Sequence, residues 1–265
     1  MKRGITAACT VAICLLQACA SPITRDIAQR VNALLPADVI LLGEEHDAPD
    51  HHALERALVL ELARRDQLTA LAIEMAEQGH STAGISPNAS EAEVQSALHW
   101  SEAGWPWRDY GPVVMAAVQN GIPVLGANLA RSAMRDAMAN QSLDAHLTSA
   151  GLEQQRDNIR TGHCLLLPES QIAPMTRIQI ARDAAMANTL TLAVQPGKTV
   201  LLVAGGGHVL RDLGVPTHLP PTLRFKVVLA VAGKADAPEF AGIDVVWETA
   251  PVPPRDHCAE LKSRG

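Results

Sequence analysis

Val39-Ile40-Leu41-Leu42-Gly43-Glu44-Glu45-His46 runs four apolar residues into a glycine, two carboxylates and an imidazole. A short unbroken apolar run of this kind reads as a strand buried on both faces, as in a parallel sheet, with the glycine ending it and the polar residues presented at its carboxyl edge. The pattern recurs about 160 residues later, where Thr199-Val200-Leu201-Leu202-Val203-Ala204 leads into Gly205-Gly206-Gly207-His208. Ligands of open α/β sheets collect at that edge. Two strand-Gly-x-x-His units therefore predict an α/β fold with a site where the two turns meet.

Working outward, Ile23, Ile27, Val31, Leu34 and Leu35 recur at helical spacing before Pro36 and the first strand. A second helix is expected over residues 51–65, with Leu54, Leu58 and Leu62 on one stripe. The strand Ala70-Leu71-Ala72-Ile73-Glu74-Met75 then places Glu74 at another strand end. Residues 78–88 turn to Gly, Ser, Thr and Pro, residues 90–98 read as a short capped helix, and Gly111-Pro112 reads as a break before a helix over residues 113–120. A third strand, residues 122–127, ends at Asn128. Residues 130–192 read as helical, with interruptions at Gly151, at Gly162-His163-Cys164 and at Pro168. Strands at residues 225–231 and 243–247 complete the pattern. The expectation is a mostly parallel β-sheet of about six strands flanked by helices. Helical inserts at about 78–120 and 130–192 belong to a single domain, the latter covering the carboxyl edge.

The first residues read as a processing signal. Lys2 and Arg3 precede an apolar stretch over residues 5–16 and then Leu16-Gln17-Ala18-Cys19, which resembles a bacterial lipoprotein signal, with residues 1–18 removed and Cys19 lipidated. The stretch is shorter than the roughly 20 apolar residues of a membrane span. The expected location is the cell envelope, anchored by lipid in the outer membrane and facing the periplasm. Loss of Lys2 and Arg3 moves the formal net charge from −6 to −8. With no basic block longer than Arg64-Arg65, nucleic acid is excluded as a partner. Of five cysteines, Cys164 and Cys258 remain after Cys9, Cys14 and Cys19 are assigned to the signal and the anchor; they either bridge or stay as two buried thiols.

Several residues can carry chemistry. Glu44, Glu45 and His46, followed by His51 and His52, can bind a metal or exchange protons, the carboxylate orienting the ring or completing a ligand set. His208 adds a second imidazole behind a triple-glycine bend that lets backbone approach a ligand. Gln179, Arg182 and Met186 fall at i, i+3 and i+7 of one helix with Asp183 beside them. Arg182 there either grips a carboxylate or pairs with Asp183 at the surface while Met186 fills the core. Trp105-Pro106-Trp107-Arg108-Asp109-Tyr110 is the aromatic concentration of a chain with 3% aromatic residues, suited to walling a flat apolar ligand or to anchoring a helical excursion. His163-Cys164 has no second Cys or His at zinc-finger spacing. Neither Gly-x-Ser-x-Gly, nor a phosphate-loop motif, nor Gly-x-Gly-x-x-Gly after the first strand is present.

Taken together, the segments at 40–46, 71–75, 107–110, 127–131 and 163–164, Gln179 with residues 182–187, and residues 204–209 resemble the ChaN family of haem-binding lipoproteins in content and order. Gly214-Val215-Pro216 also looks like that family. The resemblance implies haem as cofactor, a role in iron acquisition without catalysis, a homodimer on haem binding, and a haem receptor or transport system as partner. It makes Tyr110 the expected iron ligand, with His46, His208, His163, Arg182 and Met186 around the haem. Gly206 stands where an asparagine is common in the family, and Leu210 precedes Arg211. The family is similar in turn to Tiki-type metalloproteases, TraB-like proteins and erythromycin esterases. The alternative this leaves is a metal-dependent hydrolase using Glu44, Glu45, His46, Glu74 and His208.

Overall fold

The computed structural model describes residues 22–235 and 242–263; the expected signal sequence and lipidated Cys19 lie outside the described residues. Six parallel strands form one sheet: β1 (Val39–Glu44), β2 (Leu68–Glu77), β3 (Val124–Asn128), β4 (Thr199–Gly205), β5 (Phe225–Ala232) and β6 (Val245–Thr249). Their order is β3-β2-β4-β1-β5-β6. All six residues of β1 and all seven of β4 are buried. That burial explains their unbroken apolar runs, since a central parallel strand has no solvent face.

Alternation along β1 divides the core. Ile40 and Leu42 pack with α1 (Pro22–Leu34), α2 (Pro49–Arg64) and α4 (Trp107–Gln119), while Val39 and Leu41 pack with Met186, Ala187 and Leu190 of α7 (Glu169–Ala193). Helices thus cover both faces. Between β2 and β3 lies α3 (Glu91–Ala97), closed at its start by a capping box in which Ser90 and Glu93 bond each other's backbone N–H. Between β3 and β4 come 3₁₀ turns at Arg131–Ala133 and Gln141–Ala145, α5 (Met134–Ala139), α6 (Ser149–Gly162) and α7. The last described element is α8 (His257–Ser263).

Two expectations about breaks are corrected. Gly111-Pro112 does not end a helix, because α4 starts at Trp107 and runs through both residues. Pro112 and Arg108, whose carbonyl the proline leaves unbonded, are both exposed, so water can serve that carbonyl. Gly111 is where the Trp107 indole lies, since an added Cβ would stand 2.6 Å from its Nε1. Gly151 likewise interrupts nothing: it sits in the first turn of α6, its N–H bonded to the Thr148 cap. Cys164 and Cys258 bridge, with Cα atoms 5.5 Å apart across 94 residues, tying α8 to the loop between α6 and α7.

Candidate functional site

β1 and β4 are neighbours in register, with Gly43 opposite Ala204 and Glu44 opposite Gly205. The chain leaving β1 passes into α2 on one face of the sheet. The chain leaving β4 passes through 3₁₀ turns at Gly206–Val209 and Val215–His218 on the other. Such a parting of connections opens a crevice at the carboxyl ends of the strands. Gly43 permits the close approach, since a Cβ there would lie 2.5 Å from Val209 Cγ2.

Glu74 joins the two histidine turns. It follows Ile73, the last β2 residue in register with β4, and accepts the Gly205 N–H at 2.8 Å. Its Oε1 lies 3.3 Å from His208 Nε2, and its Oε2 lies 4.0 Å from His46 Nε2. Asp183, reaching in from α7, holds the other His208 nitrogen at 2.6 Å. Burial disfavours charge on His208, but the carboxylates of Glu74 and Asp183 outweigh it and push its pKa up to about 10. Burial would raise Glu74, yet the His208 charge and hydrogen bond hold it at about 2. In Asp183 burial wins over His208, lifting the carboxyl to about 6. At neutral pH the triad therefore carries one positive and two negative charges.

The second half of the site centres on Glu44. His46 Nδ1 lies 2.7 Å from Glu44 Oε1, and the Tyr110 hydroxyl donates to the same oxygen at 2.9 Å, with His46 Nδ1 3.2 Å away. Burial pushes Glu44 up, but the His46 hydrogen bond and the neighbouring His52 imidazole bring it down to about 2. Burial alone would lower His46; Glu44 and Glu74 raise it. The Tyr110 phenol is held far above its ordinary range by burial and the adjacent Glu44 charge. Trp105 closes the group, its ring edge-on to His46 at 4.8 Å and to Tyr110 at 5.8 Å.

A cleft of about 700 Å³ opens over this half, lined by Glu45, His46, His52, Trp105, Arg108 and Tyr110 among others. Two residues without any signal in the sequence complete it: Arg255 and His257, brought there by the C-terminal tail. His257 Nε2 lies 3.4 Å from Asp47.

The expected site residues thus divide. Glu44, His46, Glu74, Tyr110 and His208 converge. Glu45 lines the cleft, but its carboxylate accepts from the Ala232 N–H, so Glu44 rather than Glu45 orients His46. Met186 is fully buried in the core beneath α7. Arg182 is half-buried on α7, outside the cleft lining, and it is Gln179 and Asp183 that reach His208. His163 caps the end of α6, its Nδ1 2.9 Å from the Ile159 carbonyl oxygen, and is also outside the cleft.

Residues 30–219 match the family model for haem-binding uptake proteins of the Tiki superfamily, ChaN. The chain belongs to the ChaN family. A solved structure of cofacial haem binding to ChaN of Campylobacter jejuni is similar at 28% identity and a TM-score of 0.65, covering 80% of this chain and 87% of that one. The structure of the type III effector HopBA1 is similar at 15% identity and a TM-score of 0.42 over 81% and 88%. No curated protein matches the chain. The family is one of haem binding and uptake, and the residues of the cleft fit that ligand: its volume lies within the roughly 300–1,000 Å³ of cofactor sites. An aromatic wall, imidazoles and a phenol face it, with guanidinium groups at the rim.

Proposed function

We propose that this protein is an envelope lipoprotein, anchored through Cys19 in the outer membrane and facing the periplasm, that takes haem into the cleft over Glu44 as a step in iron acquisition. The observation that carries the reading is the placement of Tyr110, His46 and Trp105 on one cleft wall with Arg108 and Arg255 among its lining. Tyr110 is the proposed iron ligand. Its hydroxyl already donates to Glu44 Oε1 at 2.9 Å, and an arriving cation would offset the burial and the Glu44 charge that keep the phenol protonated. Haem, once bound, supplies the iron cargo and asks no reaction of the protein. Arg108 and Arg255 offer the charge that propionates need. His208 does not line the cleft; through Glu74 it positions His46. A second copy of the chain covering the open cleft gives the homodimer, and a haem receptor or transport system would be the onward partner. The hydrolytic alternative draws on the same carboxylates and histidines, and neither the family match nor the similar ChaN structure favours it.

Hemin titration of the purified mature protein, followed by absorbance and by size, tests the reading. A saturable Soret band, altered in Tyr110→Phe and accompanied by a doubling of mass, is the expected result. A spectrum indistinguishable from free hemin would overturn it.

A further inference from the structure

Beneath the cleft, on the inner side of Glu44, lies a second set of donors that the haem reading does not use. Glu44, His52 and Glu55 each bring one ligating atom to a common point, all within 4.8 Å of one another. His52 and Glu55 stand three residues apart on α2, on one face of the helix, and Glu44 reaches across from the end of β1. Glu55 is fully buried, and neither of its carboxyl oxygens finds a hydrogen-bond partner. Glu44 Oε2 and His52 Nε2 also lack one. Four buried polar atoms without partners thus face a single spot, where a native interior ordinarily leaves very few.

Two buried carboxyl groups can face each other if they share a proton or if a cation lies between them. The imidazole of His52 has a different role in each case. A shared proton would leave the pair one negative charge for an imidazole N–H to face, whereas a cation would take the neutral ring nitrogen as a third ligand, completing an N,O,O set of the kind that borderline divalent cations accept. Ligands about 2.0–2.1 Å from zinc at tetrahedral angles stand about 3.4 Å apart. His52 Nε2 and Glu44 Oε2 are separated by 3.4 Å. The other oxygen of Glu44 is fixed by Tyr110 and His46, which orients the carboxylate and leaves Oε2 turned inward, as outer partners do for metal ligands elsewhere.

We propose that Glu44, His52 and Glu55 form a site for one divalent first-row cation of the zinc or manganese class, separate from the haem cleft above it. The two carboxylates balance the cation's charge, and His52, which also lines the cleft, stands on the way in from solvent.

The test titrates mature protein, stripped with chelator and free of hemin, with Zn²⁺ by calorimetry and with Co²⁺ by visible absorption. One equivalent is expected to bind, with a ligand-field band from cobalt held by nitrogen and oxygen. Glu55→Gln and His52→Gln should each weaken binding by about 10–100-fold or more. His208→Asn should keep it, which separates this site from one built on the two repeated histidines. Circular dichroism checks the fold of each variant, and should Glu55→Gln fail to fold, the partly exposed His52 supplies the decisive comparison. Absence of stoichiometric binding by wild type, or equal binding by wild type and the His52 and Glu55 variants, overturns the proposal. So does an infrared band of a protonated carboxylic acid that persists under saturating Zn²⁺ and vanishes in Glu55→Gln, because the pair then shares a proton. With hemin absent throughout, none of these outcomes bears on the haem reading.

Discussion

Glu74→Gln preserves the outline of the side chain that joins the two histidine turns, keeps an acceptor for the Gly205 N–H, and removes the charge. In the wild type Glu74 is 4% exposed and faces His208, whose pKa is pushed up to about 10 from 6.5. Deleting one partner of a buried ion pair costs about 3–5 kcal/mol. Because Asp183 still holds the other ring nitrogen at 2.6 Å, the expected loss at pH 7 sits at the lower end, about 3 kcal/mol. The pH dependence carries its own sign. A base with a raised pKa in the folded state gives stability that is fully present below about pH 6.5 and is lost as pH climbs toward 10. At about 1.4 kcal/mol per pH unit per proton, wild type should lose about 2–3 kcal/mol between pH 7 and 9.

Several groups face His208: Glu74 and Asp183 are ionised across this window at about 2 and 6, Gln179 does not titrate, and His46, raised as well, adds loss of the same sign. The Tyr110 phenol stays protonated, and Cys164 and Cys258 are bridged. Urea unfolding of the purified protein at pH 5, 7 and 9, read by circular dichroism, should show a lower midpoint at unchanged slope m for the variant. It should also show a flatter decline from pH 7 to 9. A variant within about 0.5 kcal/mol of wild type at pH 7, with the same pH profile, would refute a charged His208 held by Glu74.

Gly214→Ala would bring a Cβ to 2.1 Å from the His208 carbonyl oxygen, whereas Gly207→Ala meets nothing within 4 Å. The first should destabilise by about 2 kcal/mol or more in urea and the second should not, so equal midpoints would contradict the packing of the second turn. Cys258→Ser opens a 94-residue loop and should lower stability by up to about 4 kcal/mol, matched by wild type under reductant; no change would mean the link contributes nothing. Trp105→Ala strips the ring beside His46 and Tyr110, and should weaken hemin affinity about tenfold in a Soret titration, an effect of about 1.4 kcal/mol. Unaltered affinity would move the ligand away from this wall.

Much of the framework was legible because burial on both faces forces a continuous apolar run, as in β1 and β4, and because the same strand-Gly-x-x-His unit occurs twice. What failed had local causes. The pair Gly111-Pro112 carries the composition of a break, yet one residue accommodates an indole and the other faces water. Arg182 and Asp183 looked like a surface pair, but neighbours on a helix point about 100° apart, and Asp183 turns inward to His208 while Arg182 does not. Met186, placed with Gln179 and Arg182 by spacing, lies a further turn down α7, over the sheet. Glu55 gave no hint, being one acid beside the Leu54, Leu58 and Leu62 stripe, and nothing in residues 250–258 announced that Arg255 and His257 would wall the cleft.

The bridge between Cys164 and Cys258 fixes when that wall can exist. Arg255 and His257 reach the cleft on a segment tethered through Cys258, and that tether forms only where thiols are oxidised, so under reducing conditions the sheet and its paired histidines can assemble while one side of the ligand chamber stays unfastened. Completion of the chamber is thereby tied to an oxidising environment, and a ligand met while the thiols are still reduced would find a weaker grip than one met after the bridge has closed.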